Sequence, residues 1–346
     1  MDWDNLIAAM AALISVISYV CYVFFYKETQ MERVEGERIW QTNLAHATIL
    51  YGLASMVLIL LIALSSLCFG LQPPIALWKD YTTQNTLLIP MVLMMIVGYA
   101  IHIAAEAHAV RNYETSIYAN FFQLYLVIIA ALGFIINHDI FSKNKIVSGL
   151  MLVCVSVYCS TLTKRNIEIS RRIAYSNIII AVVSALFCGV SLFIDADIVE
   201  KTIGIGTHKK NRVTVYLVYE WVTFFFPFLI VLIGHIIISK GFKKAILDLK
   251  KRIKSTGKTF LVASFFSVFQ FIFSVFALAF ANDKSIPIGI FALTGFFSFF
   301  ITSTLYQKVG QFLKLKQTQT STNNLSLTIK IILSILVFGG IFLIKN

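Results

Sequence analysis

The chain has 346 residues, of which 58% are hydrophobic and only 13% are charged. A soluble domain of this length cannot bury so large an apolar fraction in one core, which excludes an ordinary soluble fold. The apolar runs are continuous rather than alternating, which excludes a transmembrane β-barrel. The net charge of +12 comes from bases between the apolar runs, where they act as topology signals, so nucleic acid is not an expected partner.

Ten apolar segments approach or exceed the roughly 20 residues that a helix needs to cross a ~30 Å hydrocarbon core. The sequence therefore predicts an all-α membrane protein with ten transmembrane helices, here called predicted helices 1 to 10. They begin near Asn5, Asn43, Thr86, Ser116, Ile146, Ile173, Val213, Lys258, Ile286 and Leu327.

Predicted helices 3 and 4 carry the polar residues of the first half. Tyr99, His102 and Glu106 follow each other at helical spacing, which places them along one face of helix 3. A short link makes the two helices a hairpin, so Asn120 and Gln123 of helix 4 lie at a comparable depth. Ionisable residues inside a span are costly and usually face protein or water. The set predicts a site that binds a polar solute and exchanges a proton; alternatively, Glu106 only marks the wet end of helix 3.

A charged bridge at residues 164–172 (KRNIEISRR) separates two halves whose apolar segments repeat. The first four segments recur after 168, 170, 172 and 170 residues, and the fifth recurs after 181. Residue identities barely repeat, so the recurring property is hydropathy, as in duplicated transporters. Residues 1–163 and 173–346 are therefore predicted to be two five-helix repeats. Because five is odd, the second repeat is predicted to be inverted relative to the first.

Acidic residues lie between predicted helices 6 and 7, at the opposite mouth from Glu106. Asp195 and Asp197 end helix 6 and are interpreted as caps in the headgroup region. Glu220 lies about two turns into helix 7, and as the deeper carboxyl it is predicted to be a coupling or gating group. His235, near the far end of helix 7, is interpreted as an interfacial residue.

The stretch 240–258 between predicted helices 7 and 8 holds eight Lys and Arg residues, more than any other connection. It is predicted to be a loop in which Ile246, Leu249 and Ile253 form an amphipathic helix on an anionic lipid surface. Connections on the side of this loop carry 19 bases, against 9 on the other side. The loop is therefore predicted to be cytoplasmic, with both termini outside.

Predicted helices 8 and 9 are the counterparts of helices 3 and 4 under inverted symmetry. Gln270 lies at mid-depth, where an amide needs a partner, and replacing Gln123 or Gln270 with Leu is expected to abolish transport. Helix 9 carries a hydroxyl row at four-residue spacing, a pattern that also serves helix packing. The predicted substrate pocket at the repeat interface is lined by Tyr99, His102, Glu106, Asn120, Gln123, Gln270, Thr294 and Ser298.

Motifs of soluble enzymes are missing from the sequence. There is no H-E-x-x-H, no G-x-S-x-G and no G-x-x-x-x-G-K-[ST], so neither an enzyme nor a cofactor is expected. The acidic start Met-Asp-Trp-Asp argues against a cleavable signal peptide. The cysteines lack metal or redox spacing and are interpreted as free thiols in the spans. They are Cys21, Cys68, Cys154, Cys159 and Cys188.

Two stretches resemble the drug/metabolite transporter superfamily with its EamA-type repeats. Residues 184–199 (SALFCGVSLFIDADIV) are similar to the start of that family's second repeat, and residues 116–158 are similar to its repeat ending. The turn Asn137-His138-Asp139 stands where the family usually has Gly-Glu. The resemblance implies ten helices in two inverted repeats around a central cavity. It also implies a carrier of organic solutes such as amino acids, metabolites or drugs.

The leading hypothesis is a secondary transporter that moves a small organic solute by alternating access in a plasma or inner membrane, with protons as the candidate coupling ion. One alternative is an integral-membrane enzyme that acts on lipids, which needs a clustered catalytic set. Another is a receptor or scaffold, which the basic stretch 240–258 favours. The repeated halves favour transport, because alternating access explains an inverted repeat and the other two functions do not require one. The oligomeric state stays open.

Overall fold

The computed structural model describes residues 3–30, 39–69, 88–112, 118, 122, 124–137, 171–203, 212–281, 285–291, 294 and 297. These residues form eight helices, and no strand occurs among them. The helices are α1 Trp3–Gln30, α2 Ile39–Phe69, α3 Leu88–Asn112, α4 Leu124–Asn137, α5 Arg171–Ile203, α6 Arg212–Ile238, α7 Phe242–Phe280 and α8 Ser285–Phe291.

Six of these helices are long and apolar enough to cross a membrane: α1, α2, α3, α5, α6 and α7. The described part of the chain is therefore an all-α membrane protein. Predicted helices 1 to 4 correspond to α1–α4, and predicted helices 6 to 9 correspond to α5–α8. Predicted helices 5 and 10 and the bridge residues 164–170 lie outside the described residues.

Residues 242–258 are helical, as the predicted amphipathic segment requires, but they form the first turns of α7 instead of a separate helix within a loop, so the start predicted for this span at Lys258 is wrong. Only Ser239, Lys240 and Gly241 separate α6 from α7, and the latter two have positive φ angles of 56° and 134°. From residue 242 onward the segment is rich in good helix formers and continues without a break into the apolar part. At 1.5 Å per residue, the 39 residues of α7 span about 58 Å, roughly twice the hydrocarbon core. Its basic first turns therefore extend beyond the membrane as part of a spanning helix.

Three helix pairs make the most extensive contacts in the bundle: α1 with α7, α3 with α5, and α2 with α6. In each pair, residue numbers fall along one helix as they rise along the other, so the partners are antiparallel. The contacts that set these directions are Ser15–Ser274 and Phe25–Phe266, Met95–Ser191 and His108–Asn177, and Leu44–Gly234 and Tyr51–Phe224.

The first three helices alternate in direction. Gln30 at the end of α1 contacts His46 near the start of α2, with Oε1 2.8 Å from Nδ1. Asn43, also near the start of α2, contacts His108 near the end of α3, with Nδ2 3.1 Å from Nδ1. One end of the bundle therefore holds the ends of α1, α3 and α6 and the starts of α2, α5 and α7. We call it the basic end, because α7 brings its bases there, and we call the opposite end the acidic end.

Smaller contacts complete the bundle. α2 packs on α7 and α3 packs on α6, while the short helices α4 and α8 pack on α5 and α1. The α4–α5 contact is close at Gly189, where an added Cβ would lie 2.8 Å from the carbonyl oxygen of Tyr125. Helices can approach this closely in a membrane where small residues face each other.

Candidate functional site

Glu106 is buried where α1, α3 and α4 meet. Its side chain accepts hydrogen bonds from Tyr22 at 2.7 Å and from Tyr118 at 3.3 Å. His102, one turn earlier on α3, has its Nε2 atom 3.7 Å from Glu106 Oε2. Among the described residues, no Lys or Arg pairs with Glu106. A buried carboxyl held by two hydroxyls and a histidine can exchange a proton or bind a donor group of a solute.

His102 links this carboxyl to α5. Its Nδ1 lies 3.1 Å from the carbonyl oxygen of Ser184 and 3.0 Å from the hydroxyl of the same residue. Because a carbonyl only accepts, Nδ1 carries the hydrogen, and Nε2, which faces Glu106, is free to take a proton. We call Glu106, His102, Tyr22, Tyr118 and Ser184 the Glu106 cluster.

A small cavity lies beside this cluster, between α1, α4, α7 and α8. Its polar wall is a hydrogen-bonded group, in which Ser15 Oγ lies 2.6 Å from Ser274 Oγ and Gln270 Nε2 donates to Ser274 at 3.4 Å. The space is about what one water molecule needs. The residues that line it are Ser15, Val16, Tyr19, Phe122, Tyr125, Gln270, Ser274, Phe291 and Thr294.

The ring of Phe122 separates the cluster from the cavity. It stacks on His102 with ring centroids 5.6 Å apart and on Tyr19 with centroids 5.1 Å apart. Gln270 and Thr294, both predicted to line the site, share the cavity. His102 and Glu106 lie on the other side of the ring. The predicted site residues Asn120, Gln123 and Ser298 lie outside the described residues.

Tyr99 points away from both groups and toward the acidic end. Its hydroxyl donates to Asp195 Oδ2 at 3.0 Å. Asp195 has no solvent exposure, so its interpretation as a cap in the headgroup region is wrong: it lies inside the bundle. Asp197 is half-buried on the same helix. Glu220 is as completely buried as Asp195.

The sequence contains a polar pattern that could have predicted the burial of Asp195. Asn177, Ser184, Ser191 and Asp195 follow each other at intervals of seven, seven and four residues. This spacing forms one polar stripe along a helix. In the structure the stripe faces α3, and each of its members hydrogen-bonds a residue of that helix.

The basic end holds a paired network of charges. Arg252 on α7 donates to Asp248 at 2.9 Å, and its Nη1 lies 3.1 Å from His46 Nε2. His235 Nε2 lies 3.5 Å from Asp248 Oδ2. The side chain of His235 is fully buried, and its predicted position at the membrane interface stays a prediction.

Comparison with models of known protein families finds no match, and comparison with curated proteins finds none either. In the described part of the chain, no three His, Cys, Asp or Glu side chains gather as metal ligands. What the protein does is therefore inferred from its helix arrangement and its buried charges.

Proposed function

We propose that this chain is a secondary transporter, related to the drug/metabolite transporter superfamily, that moves a small organic solute by alternating access. Its ten helices would form two inverted five-helix repeats. The observation that carries the proposal is the pairing of the helices, because the contacts of one half are matched by those of the other. Alternating access in such folds is a rocking of two equivalent halves around a central site.

The match becomes visible when α1–α4 are set equivalent to α5–α8. The α1–α7 contact then corresponds to α5–α3, and α2–α7 corresponds to α6–α3. The packing of α4 on α5 corresponds to that of α8 on α1, and the α2–α6 contact corresponds to itself. Such a pattern is expected if a two-fold axis relates the halves.

The directions of the helices support inversion. α1 and α3 end at the basic end, whereas their counterparts α5 and α7 begin there. α2 begins at the basic end, whereas its counterpart α6 ends there. Equivalent helices therefore run in opposite directions, as a two-fold axis in the membrane plane requires.

Helix α4 supports a fifth crossing. Tyr22 and Tyr118 both bind Glu106. Tyr19 stacks on Phe122, and Ser15 shares a cavity with Tyr125, the second residue of α4. The start of α4 therefore runs antiparallel to α1. Along this direction α4 ends at the acidic end, whereas α5 begins at the basic end. These two ends support the proposed fifth span from residue 146, which lies outside the described residues.

Individual contacts repeat as well. Ser15 lies 2.6 Å from Ser274 between α1 and α7, and Ser184 lies 3.0 Å from His102 between α5 and α3. Ser184 follows Ser15 by 169 residues, and Ser274 follows His102 by 172, close to the offsets of 168 and 172 between the corresponding apolar segments. The Glu106 cluster and the small cavity are therefore proposed to be equivalent halves of one solute site at the repeat interface.

Side chains of the described residues cover the site toward both ends. Toward the acidic end the rings of Tyr99, Phe271, Phe224 and Tyr51 contact each other in sequence, with centroids 5.0 to 5.2 Å apart. Toward the basic end, Arg252 and its partners bind α7 to α2. A central site covered in this way fits an occluded stage of a transport cycle, from which either end can open.

The proposal includes an orientation of the protein in the membrane. The exposed bases of α7 support contact with anionic lipid headgroups, now from the first turns of α7 rather than a separate helix within a loop. The basic end would then face the cytoplasm of a plasma or inner membrane. The substitution Ser255→Cys, in a chain without its native cysteines, tests this orientation. Labelling of the new cysteine by an impermeant reagent outside intact cells would mean that the basic end faces outward.

The function is tested with purified protein in proteoliposomes against a panel of amino acids, metabolites and organic cations. We expect saturable uptake or exchange of at least one class, lost in Glu106→Gln and in Gln270→Leu. Asp4→Asn, a carboxyl change at the far start of α1, is the matched control and should transport normally. Full transport by both site variants would mean that the solute site lies elsewhere in the protein. Absence of transport for every class, with folded protein, would argue against a transporter.

A further inference from the structure

Asp195 on α5 and Glu220 on α6 are two buried carboxyl groups at the acidic end. Both lie beside the same stretch of α3, because Tyr99 donates to Asp195 at 3.0 Å and Tyr219, next to Glu220 in the chain, donates to Met95 Sδ at 3.3 Å. Neither side chain is exposed, and each lies within the electrostatic field of the other. Two ionised carboxylates in such surroundings repel each other, and both lose their hydration. The pair is therefore tolerable only if a cation or a proton accompanies it.

The groups that face the pair are neutral. Those that the structure describes are the hydroxyls of Tyr99 on α3 and of Tyr216, Tyr219 and Thr223 on α6. Among the side chains that the structure describes, no Lys or Arg faces the pair, and the buried Arg252 lies at the other end of the bundle. The described surroundings of the pair therefore supply no positive charge to offset two ionised carboxylates.

The hydrogen bonds around Glu220 indicate which carboxyl carries it. The Tyr216 hydroxyl lies beside Glu220, but it donates its hydrogen to the carbonyl oxygen of Ile272 at 2.7 Å. The Thr223 hydroxyl lies 3.4 Å from Glu220 Oε2 but donates to the backbone carbonyl of Glu220 at 2.7 Å. A hydroxyl has one hydrogen and two lone pairs. Both neighbours can therefore accept a hydrogen bond from a protonated Glu220 more readily than they can donate to an ionised one.

One oxygen of each carboxyl group lacks a donor, which disfavours ionisation of both groups at once. Oε1 of Glu220 and Oδ1 of Asp195 are buried and have no hydrogen-bond partner in the described part of the chain. Asp195 Oδ2 accepts from Tyr99 at 3.0 Å, the arrangement that suits an ionised carboxylate. One protonated and one ionised carboxyl group leave fewer hydrogen-bond acceptors without a donor than two ionised groups would.

We propose that Asp195 and Glu220 form a proton-binding site in which Glu220 holds an exchangeable proton and Asp195 holds the negative charge. As the coupling site for transport, it rests on the function proposed above; as a proton site, it does not. Tyr99 connects it to the solute site, because this residue binds Asp195 and lies on the same helix as His102 and Glu106. A movement of α3 that opens the solute site would also change the surroundings of the proton.

The proton itself is tested by infrared spectroscopy of the full-length chain in liposomes, without any solute. The wild-type-minus-Glu220→Gln difference spectrum at neutral pH should contain a carboxylic acid C=O band that shifts in D2O. Asp197→Asn, a nearby carboxyl outside the pair, should give no such band. In Asp195→Asn the acid band of Glu220 should remain, which keeps the test valid if Glu220→Gln does not fold.

Two results would overturn the proton site. One is a difference spectrum with carboxylate bands alone, which would mean that Glu220 is ionised. The other is a change in those bands when sodium replaces choline at constant pH, which would make the pair a metal-cation site.

Coupling is tested separately, with a solute that the proteoliposomes transport. A pH gradient should drive accumulation by the wild type, whereas Glu220→Gln should exchange solute but lose accumulation, with the final concentration ratio falling to one. An acid band without any effect of the gradient would uphold the proton site and reject its coupling role.

Discussion

The two ends of the bundle bury charged side chains in opposite ways. At the basic end, Arg252 lies between Asp248 and His46, so each charge has a partner within 3.1 Å. At the acidic end, Asp195 and Glu220 share a buried space with tyrosine hydroxyls and without a described cation. Burial of charged side chains carries a desolvation cost at both ends. The basic end offsets this cost by pairing charges, and the acidic end is proposed to offset it with a proton.

The comparison is informative because the same kind of helix contact forms both ends. The basic network joins α2 to α7, and the acidic pair lies where α6 meets α3, which is the equivalent contact in the proposed repeat. A paired network cannot separate without leaving a charge alone, so opening of the basic end carries an energetic cost. A carboxyl pair can gain or lose a proton, so it suits an end that responds to its surroundings.

The largest effect is expected from Arg252→Met, which breaks the paired end. The change leaves Asp248 buried without its cation, and such losses cost about 3–5 kcal/mol. The free energy of unfolding in mixed micelles measures it. The exposed neighbour change Lys251→Met should cost less than about 0.5 kcal/mol. Equal effects from the two variants would mean that the basic network does not stabilise its end.

The turn that positions the network gives a smaller effect. Gly241 has a φ angle of 134°, which a residue with a Cβ rarely adopts, so Gly241→Ala should lower unfolding stability by about 1–3 kcal/mol. Gly257→Ala on α7 is the matched control. Its Cβ would meet nothing closer than 3.4 Å, so it should be neutral or stabilise by up to about 1 kcal/mol. A loss at Gly257 as large as that at Gly241 would contradict the role of the turn.

At the acidic end, Tyr99→Phe removes one hydrogen bond from Asp195. We expect a loss of about 1–2 kcal/mol in unfolding stability, because a buried acceptor then lacks a donor. Tyr19→Phe is the control, since the buried Tyr19 hydroxyl has no hydrogen-bond partner among the described residues. Thermal unfolding should show no loss for that variant, and a similar loss in both would remove the evidence for an ionised Asp195.

The smallest effect is expected from Glu220→Gln. An amide replaces a protonated acid with a neutral group of the same shape, so unfolding stability at neutral pH should change by less than about 0.5 kcal/mol. Asp248→Asn at the basic end should instead cost about 3–5 kcal/mol, because Arg252 would lose its partner. A comparable loss from Glu220→Gln would indicate an ionised carboxyl with a cation, and the contrast between the ends would disappear.

Local patterns in the sequence predicted much of the fold. The apolar segments identified every described helix, with starts within about four residues for α1, α2, α3, α5 and α6. The start of α7 was missed because residues 242–258 are basic. These residues nevertheless have a high helix propensity and contact His46, and they are helical in the structure. Predicted helices 5 and 10 and the residues Asn120, Gln123 and Ser298 stay predictions.

Part of the candidate site was also predictable. Helical spacing grouped Tyr99, His102 and Glu106 on α3, and the structure buries all three while giving them different partners. The complete burial of His235 and Asp195 was not predicted. Each lies near the end of its apolar segment, a position that suggests the membrane interface when neighbouring helices are unknown.

The sequence by itself determined which segments are helical and apolar enough to span a membrane, because both properties depend on neighbouring residues along the chain. Tertiary structure alone decided which charges are paired. Arg252 meets His46 across 206 residues and Tyr99 meets Asp195 across 96, and no local pattern encodes such contacts. Burial at depth depends on which helix covers which, so the difference between the paired charges of the basic end and the two buried carboxyl groups of the acidic end arises only when the helices pack.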